Sequence, residues 1–222
     1  MKLNLFSDCA PAWTVLYVAS MLSQVAGQTQ PAPSTTNDSS NARVLVAYCS
    51  LTGNTEKMAE GVAEGVKRRP GVAVSLKKVD EVTKQDLESA DGIILGCPTY
   101  YGTLPGKMKV VIDDWSWKMK VDFTDKVGGA FSTGGGQVGG MEFVVVWLVM
   151  FMLNNRMVVA GPLYRNDKTG SVWGEVGAAA MTGPLDPGVS EGELDSARRL
   201  GERVAGLTAK LKRTGNLAQE QK

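Results

Sequence analysis

The sequence predicts an α/β domain in which parallel strands form one sheet with helices on both faces. The prediction rests on apolar runs of strand length, helical apolar periodicity between them, and regular alternation of the two. The chain has 222 residues, 43% hydrophobic and 21% charged, which suits one packed domain with additional segments. The net charge of +1 argues against a nucleic-acid-binding protein, whose surface would be strongly basic.

The start of the chain has features of a signal peptide or leader over residues 1–27. Lys2 precedes an apolar stretch, Ala12–Leu22, that is too short to span a bilayer, and small residues at 25–27 suit cleavage. Two interpretations stay open: a signal peptide that is removed, or an upstream extension without a structural role. Residues 28–42 are rich in Ser, Thr, Pro, Asn and Gln and predict a disordered linker.

The domain is predicted to cover residues 43–213, and a polar tail follows at 214–222. Each predicted strand is followed by a helix, so the strands should be parallel and their carboxyl ends should meet at one edge, where ligands bind in such sheets. The predicted strands are Val44–Tyr48, Val72–Val79, Gly92–Gly96, Val127–Phe131 and Met157–Ala160, and the predicted helices are Glu56–Arg68, Lys84–Ser89, Pro105–Lys118, Met141–Asn154 and Ser190–Lys212.

The first loop joins the first strand to the first helix and has three hydroxyl side chains, one glycine and no Lys or Arg. It consists of Ser50, Leu51, Thr52, Gly53, Asn54 and Thr55. A helix N-terminus offers unpaired backbone N–H groups and a positive dipole, so it binds phosphate without a cationic side chain. The loop lacks both the Walker sequence and GxGxxG. Such a loop also occurs as a simple helix cap, but two further unusual loops favour phosphate binding.

Three loops in this order resemble those of the flavodoxins, and in particular those of the WrbA-type NAD(P)H:quinone oxidoreductase family. The second loop, Pro98, Thr99, Tyr100, Tyr101 and Gly102, is similar to the family's G-x-P-T-R-F-G loop. The third loop resembles its glycine-rich flavin loop and consists of Ser132, Thr133, Gly134, Gly135, Gly136 and Gln137. The resemblance implies a flavodoxin-like three-layer sandwich, with a five-stranded parallel sheet in the order 2-1-3-4-5.

The resemblance further implies that the chain binds FMN non-covalently and reduces quinones with NAD(P)H as the electron donor. The first loop would hold the phosphate, Tyr100 and Tyr101 would supply aromatic faces for the ring, and backbone N–H groups of the third loop would face its polar edge. The chain has no histidine, which excludes Ser-His-Asp and Cys-His mechanisms but not chemistry carried by a flavin.

Two alternative functions remain open. One is a flavodoxin-type electron carrier without NAD(P)H activity, although such carriers are typically acidic. The other is a flavodoxin fold that binds no flavin and serves as an interaction protein. One departure from the family concerns Asn155, which stands where the family has a histidine that contacts the flavin. An amide can still donate to a flavin carbonyl but does not titrate near neutrality.

Cys9, Cys49 and Cys97 have no metal-site spacing and do not form a disulfide framework. In the implied strand order, Cys49 and Cys97 end neighbouring strands and should lie close together beside the flavin site. They are either packing residues or a redox-active pair.

A segment at residues 143–153 is apolar all round but shorter than a membrane span. It is predicted to be a buried core helix, or a helix that packs against a partner subunit, because the family resemblance implies a homo-dimer or homo-tetramer. The resemblance implies a cytoplasmic location, whereas a functional leader would export the protein.

Overall fold

A computed structural model describes residues 41–136, 138–163, 174–183 and 185–220. The predicted leader and the linker up to residue 40 lie outside these ranges. The strands are β1 (Ala42–Tyr48), β2 (Val72–Lys78), β3 (Gly92–Pro98), β4 (Val127–Gly134), β5 (Val158–Val159) and β6 (Ala178–Met181). The α-helices are α1 (Asn54–Lys67), α2 (Lys84–Ser89), α3 (Gly106–Trp117), α4 (Met141–Asn154) and α5 (Glu191–Glu220).

The strands form one parallel sheet in the order β2-β1-β3-β4-β5, which confirms the predicted fold class. The strand count is corrected, because β6 also pairs with β4. β5 pairs with Val127 and Gly128 at the start of β4, while β6 pairs with residues 131–134 at its end. The predicted fifth strand, Met157–Ala160, is the short β5, and β6 is an additional strand whose Ala-rich sequence has too little β-propensity to predict it.

Both faces of the sheet are covered, which explains why β1 and β3 are continuous apolar runs. On one face, side chains of the sheet pack against α2, α3 and α4, and on the other against α1 and α5. The first face includes Leu45, Ala47, Cys49, Ile93, Leu95 and Cys97, and the second includes Val44, Val46, Tyr48 and Ile94.

Glycines allow α1 and α5 to approach each other closely. A Cβ on Gly65 would overlap the carbonyl of Arg198, and one on Gly201 would overlap that of Val62. Gly206, one and a half turns further along α5, differs because the nearest atom to its Cβ position is 3.3 Å away, in the flexible side chain of Arg69. The contact between the two helices is therefore backbone against backbone at Gly65 and Gly201.

The closing helix α5 begins with a reciprocal cap and extends beyond its predicted end. Glu193 accepts from the backbone N–H of Ser190 at 2.7 Å and from that of Met181 at 2.6 Å, which ties the helix start to β6. The helix continues to Glu220, so most of the tail predicted at 214–222 is helical.

Helix α4 is buried on one side only. Five apolar side chains at helical spacing are about half exposed on its other side: Phe143, Val146, Trp147, Met150 and Leu153. Within the described ranges, no helix combines the length and hydropathy that crossing a bilayer requires.

Asp86 organises the start of α2. Its carboxylate accepts from the backbone N–H of Thr83 at 2.8 Å, from the Thr83 hydroxyl at 2.7 Å and from the Lys77 ammonium at 2.8 Å. Burial disfavours the charged form, but the hydrogen bonds from Lys77 and Thr83 outweigh it and lower the pKa of Asp86 to about 2.

Asp86→Asn is expected to reduce the free energy of unfolding by about 1–2 kcal/mol at neutral pH. The folded pKa lies below the unfolded value of about 3.9, so this stabilisation is complete above the unfolded pKa and is lost as pH falls through the folded pKa. Urea unfolding of both proteins at pH 7 and pH 3 should show a smaller difference at pH 3. Asp113→Asn, which removes an exposed helical pair with Lys109, is the control, with an expected loss below about 0.5 kcal/mol. If Asp86→Asn reduced the free energy of unfolding equally at pH 7 and pH 3, the stabilisation would not come from the ionised Asp86 carboxylate.

Candidate functional site

The three loops meet at the carboxyl edge of the sheet. The hydroxyls of Thr55 and Thr133 are 2.7 Å apart, which joins the first loop to the end of β4. The second loop joins the same strand, because the Thr99 N–H donates to the Thr133 carbonyl at 2.8 Å. Pro98, the last residue of β3, is the register partner of Thr133. The structure therefore brings together segments that are up to 80 residues apart in the chain.

The first loop leaves the N-terminus of α1 open. Gly53 at the N-cap position has φ 95°, a left-handed conformation that glycine adopts without strain. Among the described side chains, none caps this helix, which does not support the simple-cap alternative. Leu51 and Thr52 are exposed, and the Ser50 hydroxyl accepts from the Gly53 N–H at 3.1 Å. The first backbone N–H groups of α1 are thus available to an anion.

Two residues of the first loop, Thr55 and Asn54, hold the loop in place by hydrogen bonds to other segments. Thr55 is only 2% exposed, so its hydroxyl anchors the loop to β4. The Asn54 amide donates to the Thr52 hydroxyl at 3.2 Å and to the Asp186 carboxylate at 2.8 Å. Asp186 follows β6, and its place beside this loop was missed because β6 itself was not predicted. The parallel pairing of β6 with β4 brings that segment to the same edge.

The second loop is a tight hairpin that projects a tyrosine into solvent. Tyr100 and Thr103 exchange backbone hydrogen bonds at 3.0 and 3.1 Å. Between them, Tyr101 and Gly102 have φ 53° and 80°, as the favoured two-residue hairpin turns require. A tyrosine in the left-handed region is uncommon, and the side chain of Tyr101 has a relative exposure of 107%. Such strained positions are frequent at ligand sites.

The prediction for the third loop is corrected in part. Ser132, Thr133 and Gly134 are buried inside β4 and not in the loop, because β4 continues its pairing with β3 to Thr133 and with β6 to Gly134. The Ser132 hydroxyl donates to the Cys97 carbonyl at 2.9 Å, so it supports the sheet. Gly135 and Gly136 do lie in the loop, and Gln137 lies outside the described residues.

The segment that follows the third loop, Gly139 and Gly140, contacts the second loop along the backbone. A Cβ on Gly140 would lie 2.5 Å from the Cα of Gly102, and Gly140 has φ 89°. The Thr99 hydroxyl also donates to the Gly139 carbonyl at 3.1 Å. These contacts hold the tyrosine hairpin and the glycine-rich segment in one surface, and Leu51, Val138 and Leu185 add exposed apolar side chains around it.

Within one chain, the structure places Asn155 away from the three loops. Asn155 follows α4, whose 14 residues span about 21 Å and return the chain to the amino edge of the sheet. There the Asn155 amide donates to the Phe151 carbonyl at 2.8 Å, and its carbonyl accepts from Ser116 at 3.3 Å. The next residue, Arg156, accepts from the N–H of Asp125, just before β4. Asn155 caps a helix at the end of the sheet opposite the three loops.

Comparison with known proteins agrees with this architecture. Residues 77–169 match the family model described as NADPH-dependent FMN reductase. The chain is 39% identical over 164 residues to a flavodoxin from Aquifex aeolicus, covering 73% of this chain and 85% of the relative. It is 32% identical over 203 residues to an NAD(P)H dehydrogenase (quinone) from Solidesulfovibrio magneticus, covering 76% of this chain and 98% of the relative.

Solved structures include a flavodoxin, WrbA-like protein from Agrobacterium tumefaciens, with a TM-score of 0.59 and 25% identity over 77% of this chain and 99% of that one. A flavodoxin from the domain Archaea shares the fold, with a TM-score of 0.58 and 22% identity over 75% and 98% of the two chains.

The sheet order and the three converging loops, together with these relatives, define a flavodoxin-like protein. Within that class, the chain belongs to the WrbA-type family of flavin-dependent oxidoreductases.

Proposed function

We propose that the chain binds FMN non-covalently and acts as an NAD(P)H:quinone oxidoreductase. The observation that carries the proposal is the open N-terminus of α1 beside an exposed tyrosine hairpin. The family-model match and the quinone dehydrogenase relative support the same activity. When bound, FMN supplies two-electron redox chemistry, in which it accepts hydride and passes two electrons to a quinone.

The first loop is suited to the FMN phosphate. Backbone N–H groups at the start of α1 would donate to the phosphate oxygens, and the hydroxyls of Ser50 and Thr52 lie on the same loop. The loop contains no Lys or Arg, so the helix dipole and the amide hydrogens would supply the positive potential. The Asn54 amide would hold the loop against Asp186 and set its shape.

The second and third loops are suited to a flat aromatic ring. The exposed ring of Tyr101 and the half-buried ring of Tyr100 would provide stacking faces. Gly135 and Gly136 lack side chains, so their backbone N–H groups can approach the polar edge of the ring and stabilise negative charge there. Because the cofactor carries the chemistry, this chain's residues bind and orient it and no acid–base side chain is required.

A second candidate is an electron carrier without intrinsic NAD(P)H activity. The 39% identity to a flavodoxin favours it. The net charge of +1 does not, because carriers that dock on basic partners are typically acidic.

Anaerobic titration of the FMN-loaded full chain with NADPH or NADH separates these functions. A quinone oxidoreductase should lose its flavin absorbance in proportion to added nicotinamide and should oxidise NAD(P)H continuously when benzoquinone is present. Stable flavin absorbance without a partner reductase would indicate the carrier. Absence of protein-bound flavin after addition of FMN and removal of the unbound cofactor would indicate an interaction protein.

The exposed face of α4 supports self-association. Its five half-exposed apolar side chains form a continuous stripe, and stripes of this kind on soluble proteins usually mark interaction sites. The family resemblance implies oligomers, so the partner proposed for this face is a second copy of the chain.

Trp147→Glu is expected to convert the oligomer to a monomer, because it places a charge in the middle of the stripe, where Trp147 is 54% exposed. Size-exclusion chromatography with light scattering gives the mass of each species. Val110→Glu introduces the same charge at an exposed apolar residue of α3 and should leave the mass unchanged. A monomeric wild-type protein at micromolar concentration would remove the proposal.

A further inference from the structure

Two thiols lie side by side directly beneath the candidate site. β1 and β3 are paired in register from Val44 to Tyr48, and the ladder continues because the Cys49 N–H donates to the Gly96 carbonyl at 3.0 Å. The residue next in that register on β3 is Cys97. Both side chains belong to the same buried cluster, so they point to the same face of the sheet.

This placement meets the Cα–Cα distance requirement of a disulfide. Neighbouring strands are about 4.8 Å apart, within the Cα–Cα range of roughly 4.4–6.8 Å that disulfides span. Both cysteines are free in the structure, and their thiols are close enough that hydrogen bonding between them shifts the pKa of each. Closing the bond therefore needs rotation about side-chain bonds and an approach of the two Cβ atoms to about 3.8 Å.

The two thiols are not equivalent. Cys97 is fully buried, whereas Cys49 is 8% exposed and lies within the electrostatic influence of the Lys107 ammonium. The hydrogen bond with Cys97 lowers the pKa of Cys49, and Lys107 adds to this effect against burial. The same hydrogen bond and burial raise the pKa of Cys97. Cys49 is thus the thiol suited to attack first, and Cys97 the one suited to resolve the product.

The two cysteines also interact electrostatically with Tyr100 of the second loop. Burial raises the pKa of the Tyr100 phenol, and negative charge on Cys49 and Cys97 raises it further. Tyr100 is part of the hairpin that projects Tyr101, so a change at the two sulfurs occurs directly below residues assigned to the flavin ring.

We propose that Cys49 and Cys97 are a redox-active dithiol that exchanges reversibly with low-molecular-weight disulfides and closes to a disulfide beneath the flavin-binding loops. The Cys49 sulfur attacks one sulfur of the small disulfide, whose S–S bond breaks and releases the first small thiol with the proton from Cys49. The Cys97 sulfur then attacks Cys49 in the mixed disulfide and releases the second small thiol with its own proton. The two protein thiols lose two electrons, and the small disulfide gains them.

The test uses the full chain with Cys9→Ser, which leaves only these two thiols. The protein is equilibrated anaerobically in buffers with increasing ratios of oxidised to reduced glutathione, with and without FMN. It is then quenched in acid, alkylated in denaturant and weighed by mass spectrometry. We expect a species that is lighter by two hydrogen atoms and not alkylated, which accumulates with oxidised glutathione and disappears with dithiothreitol.

Single variants test the order of attack. Cys97→Ser should trap a mixed disulfide of Cys49 with glutathione, and Cys49→Ser should form much less adduct at the buried Cys97. The proposal is overturned if both thiols remain reduced, and are therefore alkylated, at every glutathione ratio. It is also overturned if glutathione adducts form on both cysteines and no Cys49–Cys97 disulfide forms. The samples without FMN test disulfide formation independently of flavin binding. A failure of this proposal can therefore be distinguished from a failure of the proposed function.

Discussion

Thr52→Asp is expected to weaken FMN binding by at least about 100-fold. The side chain is exposed on the first loop, so the new carboxylate would face the phosphate without disturbing the core. Two negative charges about 4 Å apart repel by roughly 4 kcal/mol at the effective dielectric constant of a protein surface, and 2.7 kcal/mol corresponds to a factor of about 100. The loop has no Lys or Arg that would neutralise the added charge.

Quenching of FMN fluorescence during titration of the unloaded protein gives the dissociation constant directly. Thr52→Asn is the matched control, because it keeps a neutral hydrogen-bonding side chain of similar size and should change the affinity less than about tenfold. If Thr52→Asp binds FMN as tightly as the wild type, the phosphate is not held at the N-terminus of α1, and the proposed function loses its main support.

Gly201→Ala should strongly destabilise the layer that α1 and α5 form on one face of the sheet. The added Cβ would overlap the Val62 carbonyl of α1, and neither helix backbone can move without disturbing the sheet below it. Overpacking of this kind costs about 3 kcal/mol, which corresponds to a fall in Tm of roughly 6–12 °C for a domain of this size.

Gly206→Ala, on the same helix, is expected to leave the stability unchanged or to raise it. Its Cβ would meet only the movable end of the Arg69 side chain, and alanine improves helix propensity by up to about 1 kcal/mol. Thermal unfolding followed by circular dichroism compares the two variants. Equal Tm changes for both would show that helix propensity, and not the approach of α1 to α5, determines the response.

The central part of the sheet could be predicted from the sequence because its strands are continuous apolar runs without alternating polar residues. β1 and β3 are apolar on both faces, and this pattern occurs only where helices cover both sides. The first two loops were also predictable, because their unusual composition follows directly after those strands. What remained hidden was the backbone conformation that gives them their roles, such as the left-handed Tyr101.

The residues whose surroundings differ from the expectation depend on contacts between segments that are distant in the sequence. Ser132 and Thr133 have the composition of a loop, and they belong to the sheet because β3 pairs with them on one side and the distant strand β6 on the other. Asn155 was placed by resemblance to a family motif, whereas its location depends on the length of α4. Neither the partner of a short strand nor the distance spanned by a helix can be read from local sequence patterns.

The split outer strand has a consequence for association through the backbone. A long, flat outer strand would present an unbroken row of N–H and C=O groups on which another polypeptide can polymerise. Here β5 supplies two residues and β6 four, with 18 residues between them in the chain. At the opposite border, β2 ends in Lys77 and Lys78, and charged residues on an outer strand disfavour pairing with another strand. In the described part of the sheet, the outer strand beside β4 is thus too short and interrupted to act as a long template for fibrils.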